Sequence, residues 1–228
     1  ITSTVSANTT AGFSIVSYTG TGSNATVGHG LGSVVKMFFV KELSNANSWE
    51  VYHVSEGAGK NAQLNTTAAF ESAGSSRWNS TAPTSTTISI GTDSGVNRSS
   101  SNYIAYCFAE KTGYSKFGSY VGNGNADGTF VYTGFKPAWV MMKRTDTTND
   151  WFIYDNTRNP FNETNLRISA NSNGAESTQT TNQIDILSNG FKCRGNAGAT
   201  NTSGGTYIYM AFAENPFVTS TGIPSCAR

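Results

Sequence analysis

The stretch Tyr103–Glu110, with the sequence YIAYCFAE, decides the fold because it returns as Tyr207–Glu214, YIYMAFAE, 104 positions later. In the first copy, Tyr103, Ala105, Cys107 and Ala109 alternate with Ile104, Tyr106 and Phe108, and this period of two indicates a β-strand. A strand repeated at this distance predicts a repeated domain. We therefore expect each copy to end with a strand of the same kind.

Three further blocks recur with nearly the same displacement, 102 positions. They are Ser17–Gly22 with Ser119–Gly124, Met37–Lys41 with Trp139–Lys143, and Trp49–Tyr52 with Trp151–Tyr154. Because the displacements are 102 and 104, the intervening loops differ by only two residues in net length. We expect one module at 12–114 and a second at 115–217, with an N-terminal extension at 1–11 and a C-terminal tail at 218–228.

The segments between these blocks favour β-structure throughout. Gly, Asn and Ser turn signals separate short apolar segments at the spacing typical of sandwiches, and no stretch has a sustained helical period. The run Phe38–Val40 is continuously apolar, as expected for a central strand that is covered on both faces. The sequence thus predicts an all-β fold of two tandem, homologous, antiparallel β-sandwich modules with a jelly-roll-like arrangement.

Composition excludes several classes of partner. Charged residues make up 13% of the chain and the net charge is +1, so clustered Lys and Arg for nucleic acid or an anionic membrane are lacking. The apolar runs, such as Val34–Val40, are far shorter than the roughly 18 residues that a spanning helix needs. We expect no nucleic-acid partner and no membrane insertion.

The start at Ile1, without Met or a signal pattern, favours a piece of a longer protein.

Residues for catalysis or cofactor binding are sparse. Cys107, Cys193 and Cys226 lack the spacing of a metal site, and Cys107 aligns with an alanine of the second copy, which predicts a small buried filler. The histidines are His29 and His53, and no Gly-x-Ser-x-Gly motif accompanies them. The sequence predicts no catalytic residues, no enzyme activity and no cofactor.

Two acidic features invite a chemical interpretation. Glu110 and Glu214 end the repeated strand, and we expect them to have a structural role, either pairing with Lys41 and Lys143 or bonding to the backbone at a strand end. The loop 123–128 carries Asn123, Asn125 and Asp127 at alternate positions, like the start of a calcium loop, but its twelfth position is Gly134 and not Glu. These three are weak metal candidates, and the residue types favour an ordinary Asn/Gly turn, so no metal site is predicted.

Aromatic rings are the best candidates for ligand binding, because they stack on the apolar faces of sugars. The candidate rings are Trp49, Trp78 and Trp151. Trp78 is of most interest, since it lies in a loop with Arg77 and Asn79 and has no counterpart in the second copy. The alternative is that Trp78 packs on the sandwich and anchors its loop.

Several blocks in combination resemble a known family. They are Ser17–Gly22 (SYTGTG), Val27–Ser33 (VGHGLGS), Asn65–Ala69 (NTTAA), Tyr103–Glu110 (YIAYCFAE) and Asn201–Glu214 (NTSGGTYIYMAFAE). Together they make the chain similar to the repeated C-terminal β-modules of marine bacteriophage tail-fibre-like and other virion structural proteins. The resemblance extends over roughly 3–217. It supplies no ligand residues that can be carried over.

The resemblance implies a location on the virion and a role in attachment. We hypothesise a non-enzymatic structural module that recognises a host cell-surface glycan. An alternative is a purely structural or decoration protein that binds other virion subunits, and a glycan depolymerase ranks below both. A homo-oligomer is expected, with a trimer as one option, because assembly on a symmetric particle multiplies weak contacts.

Overall fold

A computed structural model of the chain describes residues 1–216 and 218–219 and confirms the predicted all-β, antiparallel sandwich class. The chain divides into two compact units, one comprising 1–65 and 70–110, the other comprising 66–69 and the chain from 111 onward. The second unit thus begins at 111, four residues before the predicted start of the second module at 115. Cys226 and most of the predicted tail at 218–228 lie outside the described residues.

The first unit contains nine strands and one short helix. The elements are β1 Ser3–Asn8, β2 Phe13–Thr19, β3 Ala25–Gly28, β4 Val35–Glu42, β5 Trp49–His53, β6 Lys60–Gln63, β7 Glu71–Ser72, β8 Thr87–Ile90, α1 Ser94–Asn97 and β9 Asn102–Ala109. They form a sheet in the order β1-β2-β9-β4-β5-β6-β7 and a smaller sheet β3-β8. The repeated strand β9 therefore lies in the middle of the large sheet.

The core of this unit follows from the alternation in the sequence. Tyr103, Ala105, Cys107 and Ala109 of β9 are buried, while the residues between them are half-buried. The apolar run of β4 is buried on both faces, and Phe38 stacks on Tyr52 with the ring centroids 4.9 Å apart. A continuous apolar run is thus a central strand, as the sequence predicts.

The N-terminal extension differs from the expectation, because most of it forms a strand. Ser3–Asn8 pairs antiparallel with β2 and is the edge of the large sheet. Nearly every side chain of this strand is exposed, so the sequence carries no alternation from which the strand could be predicted. Backbone hydrogen bonds to β2, not burial of side chains, define it.

The second unit contains a further nine strands among the described residues. They are β10 Ser115–Val121, β11 Phe130–Tyr132, β12 Pro137–Arg144, β13 Trp151–Asp155, β14 Leu166–Ser169, β15 Ser177–Thr178, β16 Ile184–Leu187, β17 Gly190–Cys193 and β18 Thr206–Ala213. The large sheet has the order β10-β18-β12-β13-β14-β15, and β11-β17-β16 forms a second sheet. The strand order from β10 onward matches that of the first unit from β2 onward.

A buried asparagine, Asn97, links backbone segments of the first unit by hydrogen bonds. Asn97, at the end of α1, has no exposed surface and accepts a hydrogen bond from the backbone N–H of Thr21 at 2.8 Å. Its amide donates to the carbonyl oxygens of Ser23, at 2.6 Å, and Gly91, at 2.7 Å. Because three chain segments meet at this side chain, it satisfies backbone groups that the strands leave unpaired.

Candidate functional site

Trp78, the ring singled out by the sequence, is part of the core. Its side chain has 0% exposure, its indole N–H donates to the carbonyl oxygen of Lys60 at 3.0 Å, and it meets Phe38 edge-on with the centroids 4.8 Å apart. A sugar can stack only on a ring with an open face, so the assignment of Trp78 as a ligand-binding residue is corrected. Trp78 anchors its loop, which is the alternative that the sequence left open.

The two neighbours of Trp78, Arg77 and Asn79, also have structural roles. Arg77 makes ion pairs with Asp93 and with the buried carboxylate of Glu50, the latter at 3.5 Å. Glu50 further accepts a hydrogen bond from the amide of Asn61 at 2.7 Å. Asn79 has a positive φ of 49° in a tight turn. Arg77 therefore neutralises a carboxylate that would be costly to bury alone, and its charge is not free for a ligand.

The other two predicted rings differ in accessibility. Trp151 is 1% exposed and belongs to the core. Trp49 is half-buried and lies nearly parallel to Tyr106, with the centroids 5.9 Å apart. Trp49 is thus the one predicted ring that keeps solvent-exposed surface, and its role in ligand binding stays a prediction.

The weak metal candidates are held in a turn whose oxygens already have donors. The side-chain oxygen of Asn123 accepts from the N–H of Asn125 at 3.0 Å and from the amide of buried Asn201 at 2.9 Å. The side-chain oxygen of Asn125 accepts from the N–H of Asp127 at 3.2 Å. Hydrogen bonding and the charge of Lys192 lower the pKa of Asp127 from its ordinary value. An Asn/Gly turn, as favoured by the sequence, accounts for this loop.

The hypothesised pairing of Lys41 and Lys143 with the repeated glutamates is wrong. Antiparallel pairing puts Lys143 opposite Ile208 and puts the end of β18 beside the beginning of β12, so Glu214 meets Lys136 instead, at 2.6 Å. Lys41 lies opposite Ile104 in the same way, about 20 Å along the strand from the end of β9. The ammonium of Lys143 donates to the carbonyl oxygens of Thr67 and Asn149.

The two histidines have no exposed surface. Burial lowers the pKa of His29 from its ordinary value, although a hydrogen bond to the carbonyl oxygen of Thr84 opposes the shift. The N–H of Leu31 lies 3.3 Å from Nδ1 of His29, and the N–H of Ser55 lies 3.2 Å from Nδ1 of His53. Both imidazoles therefore hold local backbone in place.

A cavity of about 230 Å³ lies in the second unit, beside the connection from β13 to β14. We call it the Phe161 cavity, and its lining comprises Lys136, Asn156, Asn159, Pro160, Phe161, Asn162, Thr164 and Ile186. The side chain of Phe161 is 82% exposed, more than any other large apolar side chain among the described residues. An open ring beside a polar hollow is a combination that favours ligand binding.

The Phe161 cavity lies where the two units differ in length. The connection from β13 to β14 has ten residues, 156–165, whereas the corresponding connection from β5 to β6 has six, 54–59. Functional residues concentrate on loops that a rigid scaffold positions. The longer loop therefore gives the second unit a surface that the first unit lacks.

Side chains of this loop fix its shape. Asn162 exchanges two hydrogen bonds with the backbone of Ile186, each 2.9 Å long, and Asn159 accepts from the N–H of Leu166 at 2.6 Å. Arg158 binds Asp155 at 2.6 Å. Burial would raise the pKa of Asp155, but hydrogen bonds from Arg158 outweigh it and the pKa lies below its ordinary value. The cavity is therefore formed before any ligand arrives.

Two polar groups of the Phe161 cavity have no partner among the described residues. Thr164 is 1% exposed, and its hydroxyl oxygen makes no hydrogen bond there. The side-chain amide of Asn156, which directly follows β13, is also without a hydrogen bond within the described part of the chain. Because the hydroxyl oxygen of Thr164 has almost no accessible surface, a ligand in the cavity does not reach it, and the amide of Asn156 is the accessible one of the two groups.

Lys136 supplies the positive charge of the lining. It precedes β12, and its ammonium lies 2.6 Å from a carboxylate oxygen of Glu214, which follows β18. The two side chains keep 40% and 36% of their surface exposed. Exposed ion pairs stabilise a protein by about 0–1 kcal/mol, so this contact can be exchanged at little cost.

A second, shallower hollow of about 360 Å³ lies on the first unit. Its lining combines hydroxyl residues of β1 and β2 with Leu43, Tyr18 and Tyr103. Tyr18 is 4% exposed and Tyr103 is fully buried, and their hydroxyls donate to the carbonyl oxygens of Val96 and Ser94. This hollow offers no open ring, so the Phe161 cavity is the stronger candidate.

Phe161 was not among the candidate rings, all of which are tryptophans. The signal was the segment Asn159–Asn162, NPFN, in which a large apolar ring stands among turn residues. Turn residues predict a loop at the surface, and a loop displays its ring to solvent. The pairing of Lys136 with Glu214 carried no local signal, because it depends on strand register.

Comparisons with known proteins assign the chain to a family. Within the described residues, no helix is long and apolar enough to cross a membrane, and no group of three or more His, Cys, Asp or Glu could hold a metal ion. No curated protein and no solved structure matches the sequence. A family described as a domain of unknown function, DUF7483, matches residues 1–216, a range that includes both units and β1. The chain belongs to this family of domains of unknown function.

Proposed function

We propose that the chain is a non-enzymatic module of a virion that recognises a host cell-surface glycan through the Phe161 cavity. The observation that carries the proposal is the 82% exposed ring of Phe161 beside a hollow that is lined by asparagine side chains and Lys136. Sugars present an apolar C–H face and hydroxyl groups on the same small ring. Phe161 offers the C–H face a stacking surface, and the amide of Asn156 offers hydrogen bonds to the hydroxyl groups.

The size of the cavity sets the size of the ligand. At about 230 Å³ it lies below the roughly 300–1,000 Å³ of pockets that enclose drug-sized molecules, which favours a single sugar ring. A hexose has about 12 non-hydrogen atoms, and at about 0.3 kcal/mol per atom the binding free energy is about −4 kcal/mol, a Kd near 1 mM. Such a site serves attachment only when many copies act together, as on a virion appendage.

A second candidate function is a structural or decoration role, in which the chain binds other virion subunits. It is favoured by apolar side chains on β10 and β11, where Val121 is 57%, Phe130 43% and Tyr132 62% exposed. Both strands are edges of their sheets, and exposed rings at a strand edge are typical of protein contacts. A glycan depolymerase ranks below both, because glycoside hydrolysis uses two carboxylates and the lining of the Phe161 cavity contains none.

A glycan array probed with a multivalent form of the chain tests the proposal. We expect binding to a defined subset of surface glycans, and Phe161→Ala should weaken it about tenfold or more, since it removes the stacking surface. Tyr132→Ala is the matched control, because it removes an exposed ring from the same unit but leaves the cavity unchanged.

Two results would count against glycan recognition. One is the absence of any bound glycan in the multivalent format. The other is equal binding by the parent chain and Phe161→Ala. If Tyr132→Ala instead abolishes self-association in light scattering while glycans stay unbound, the structural role is the better account.

A further inference from the structure

Lys136 carries the one charge in the lining of the Phe161 cavity, and its counter-ion, Glu214, lies outside the lining. The pair is neutral as a whole, but both side chains are exposed by more than one third, so it can be exchanged at little cost. A carboxylate on the ligand can therefore compete with Glu214 for Lys136, and charge complementarity contributes to specificity.

Glu214 is the present partner of the Lys136 ammonium. Its carboxylate binds Lys136 at 2.6 Å without being part of the cavity lining, and its backbone N–H bonds to the carbonyl oxygen of Lys136 at 2.9 Å. The backbone bond keeps the two residues together even when the side chains separate. Since both side chains are more than one third exposed, Glu214 can turn to solvent at little cost.

The remaining polar groups lie on neighbouring elements. Asn156 is held next to the beginning of β12 by its backbone N–H, which bonds to the carbonyl oxygen of Ala138 at 3.0 Å. Thr164 is held at the other sheet by reciprocal backbone bonds with Ile184, at 2.8 and 3.1 Å. Lys136 and Asn156 thus adjoin the sheet that contains β12 and β13, whereas Thr164 adjoins the sheet that contains β16.

From this arrangement we infer that the ligand of the Phe161 cavity is an acidic sugar, whose carboxylate displaces Glu214 from Lys136 while its ring stacks on Phe161. The inference rests on the proposed function and adds the chemical class of the glycan. A neutral sugar leaves the Lys136–Glu214 pair intact and gains nothing from the charge. An inorganic anion binds Lys136 but has no apolar face for Phe161.

Binding of paired monosaccharides tests this inference. The pairs are methyl glucuronide with methyl glucoside, and methyl galacturonide with methyl galactoside, because each pair differs only in a carboxylate at one carbon. We expect one acidic member to bind at least tenfold more tightly than its neutral partner in NMR titrations at low salt. The preference should shrink as the salt concentration rises.

Two substitutions assign the preference to named groups. Lys136→Met should abolish it, leaving acidic and neutral sugars equally weak, and Glu214→Gln should strengthen acidic binding severalfold while neutral binding stays the same. Lys60→Met is the matched control, since it removes an exposed lysine paired with Glu56 in the first unit. It should change neither affinity.

The outcomes separate the inference from the proposed function. If acidic and neutral sugars bind equally and Phe161→Ala weakens both, glycan recognition stands and the inference is overturned. The inference also fails if the acidic preference survives Lys136→Met. If no sugar of either class binds the parent chain, both the inference and the proposed function are refuted.

Discussion

Replacement of Asn201 by alanine should destabilise the second unit by about 3 kcal/mol. The buried amide donates to the carbonyl oxygens of Asn125 and Gly195, both at 2.8 Å, and its oxygen accepts from the N–H of Asn123 at 3.0 Å. Each hydrogen bond contributes about 1 kcal/mol net, and the three backbone groups lose their partner together. Alanine supplies neither donor nor acceptor, so the three contributions are lost at once.

The destabilisation by Asn201→Ala should appear in the loop 123–128 before the second unit unfolds as a whole. Hydrogen exchange resolved by peptide should show faster exchange in the loop 123–128, and urea unfolding should give the magnitude. Asn97→Ala provides a matched change in the first unit, where the same three kinds of bond are made. Asn125→Ala is the control, because its exposed side chain accepts a single hydrogen bond.

One result would refute this reasoning. If Asn201→Ala costs less than about 1 kcal/mol, the freed backbone groups have found water, and the asparagine does not organise this end of the unit. The same holds if Asn125→Ala proves equally costly. Protection of 123–128 that stays unchanged in Asn201→Ala would lead to the same conclusion.

Three further predictions concern the core. Trp78→Ala should cost about 3–5 kcal/mol in urea unfolding because it empties the volume next to Phe38, yet it should leave glycan binding by the folded chain unchanged. Burial raises the pKa of Cys107 and Cys193 to about 12, so neither thiol should react with a thiol reagent at pH 8 until the protein unfolds, and early labelling of either would contradict its burial. Burial lowers the pKa of Lys143 to about 8, so between about pH 8 and 10 the unfolded chain binds more protons than the folded chain, and Lys143 should make the free energy of unfolding rise with pH. This rise is measured by comparing the pH dependence of unfolding in the parent chain and in Lys143→Met. If the two chains have the same pH dependence, the lowered pKa is contradicted.

The sequence predicted those parts of the fold in which side-chain burial alternates. The alternation in Tyr103–Ala109 corresponds to the buried and half-buried faces of β9, whereas nearly all of β18 is buried and its prediction came from its similarity to β9. The edge strand β1 was missed because nearly all of its side chains face solvent. Periodicity reports burial and not backbone pairing.

The site was harder to predict because it depends on loops and register. Trp78 lies in a loop without periodicity, so nothing in its neighbourhood indicates that its ring turns inward. The contact between Lys136 and Glu214 joins residues 78 positions apart and follows from the pairing of β12 with β18. The exposure of Phe161 follows from a connection whose extra length appears only when the strand ends are known.

The position of β9 has a consequence for how the chain can be synthesised and divided. This strand is the last of its unit to leave the ribosome, yet it lies between β2 and β4. Until residue 109 has emerged, those two strands have no neighbour to join them, and the nascent sheet has a gap at its centre. A fragment cut before this strand leaves that gap open to any similar segment, and β18 of a neighbouring molecule is such a segment. Expression boundaries should therefore follow β9.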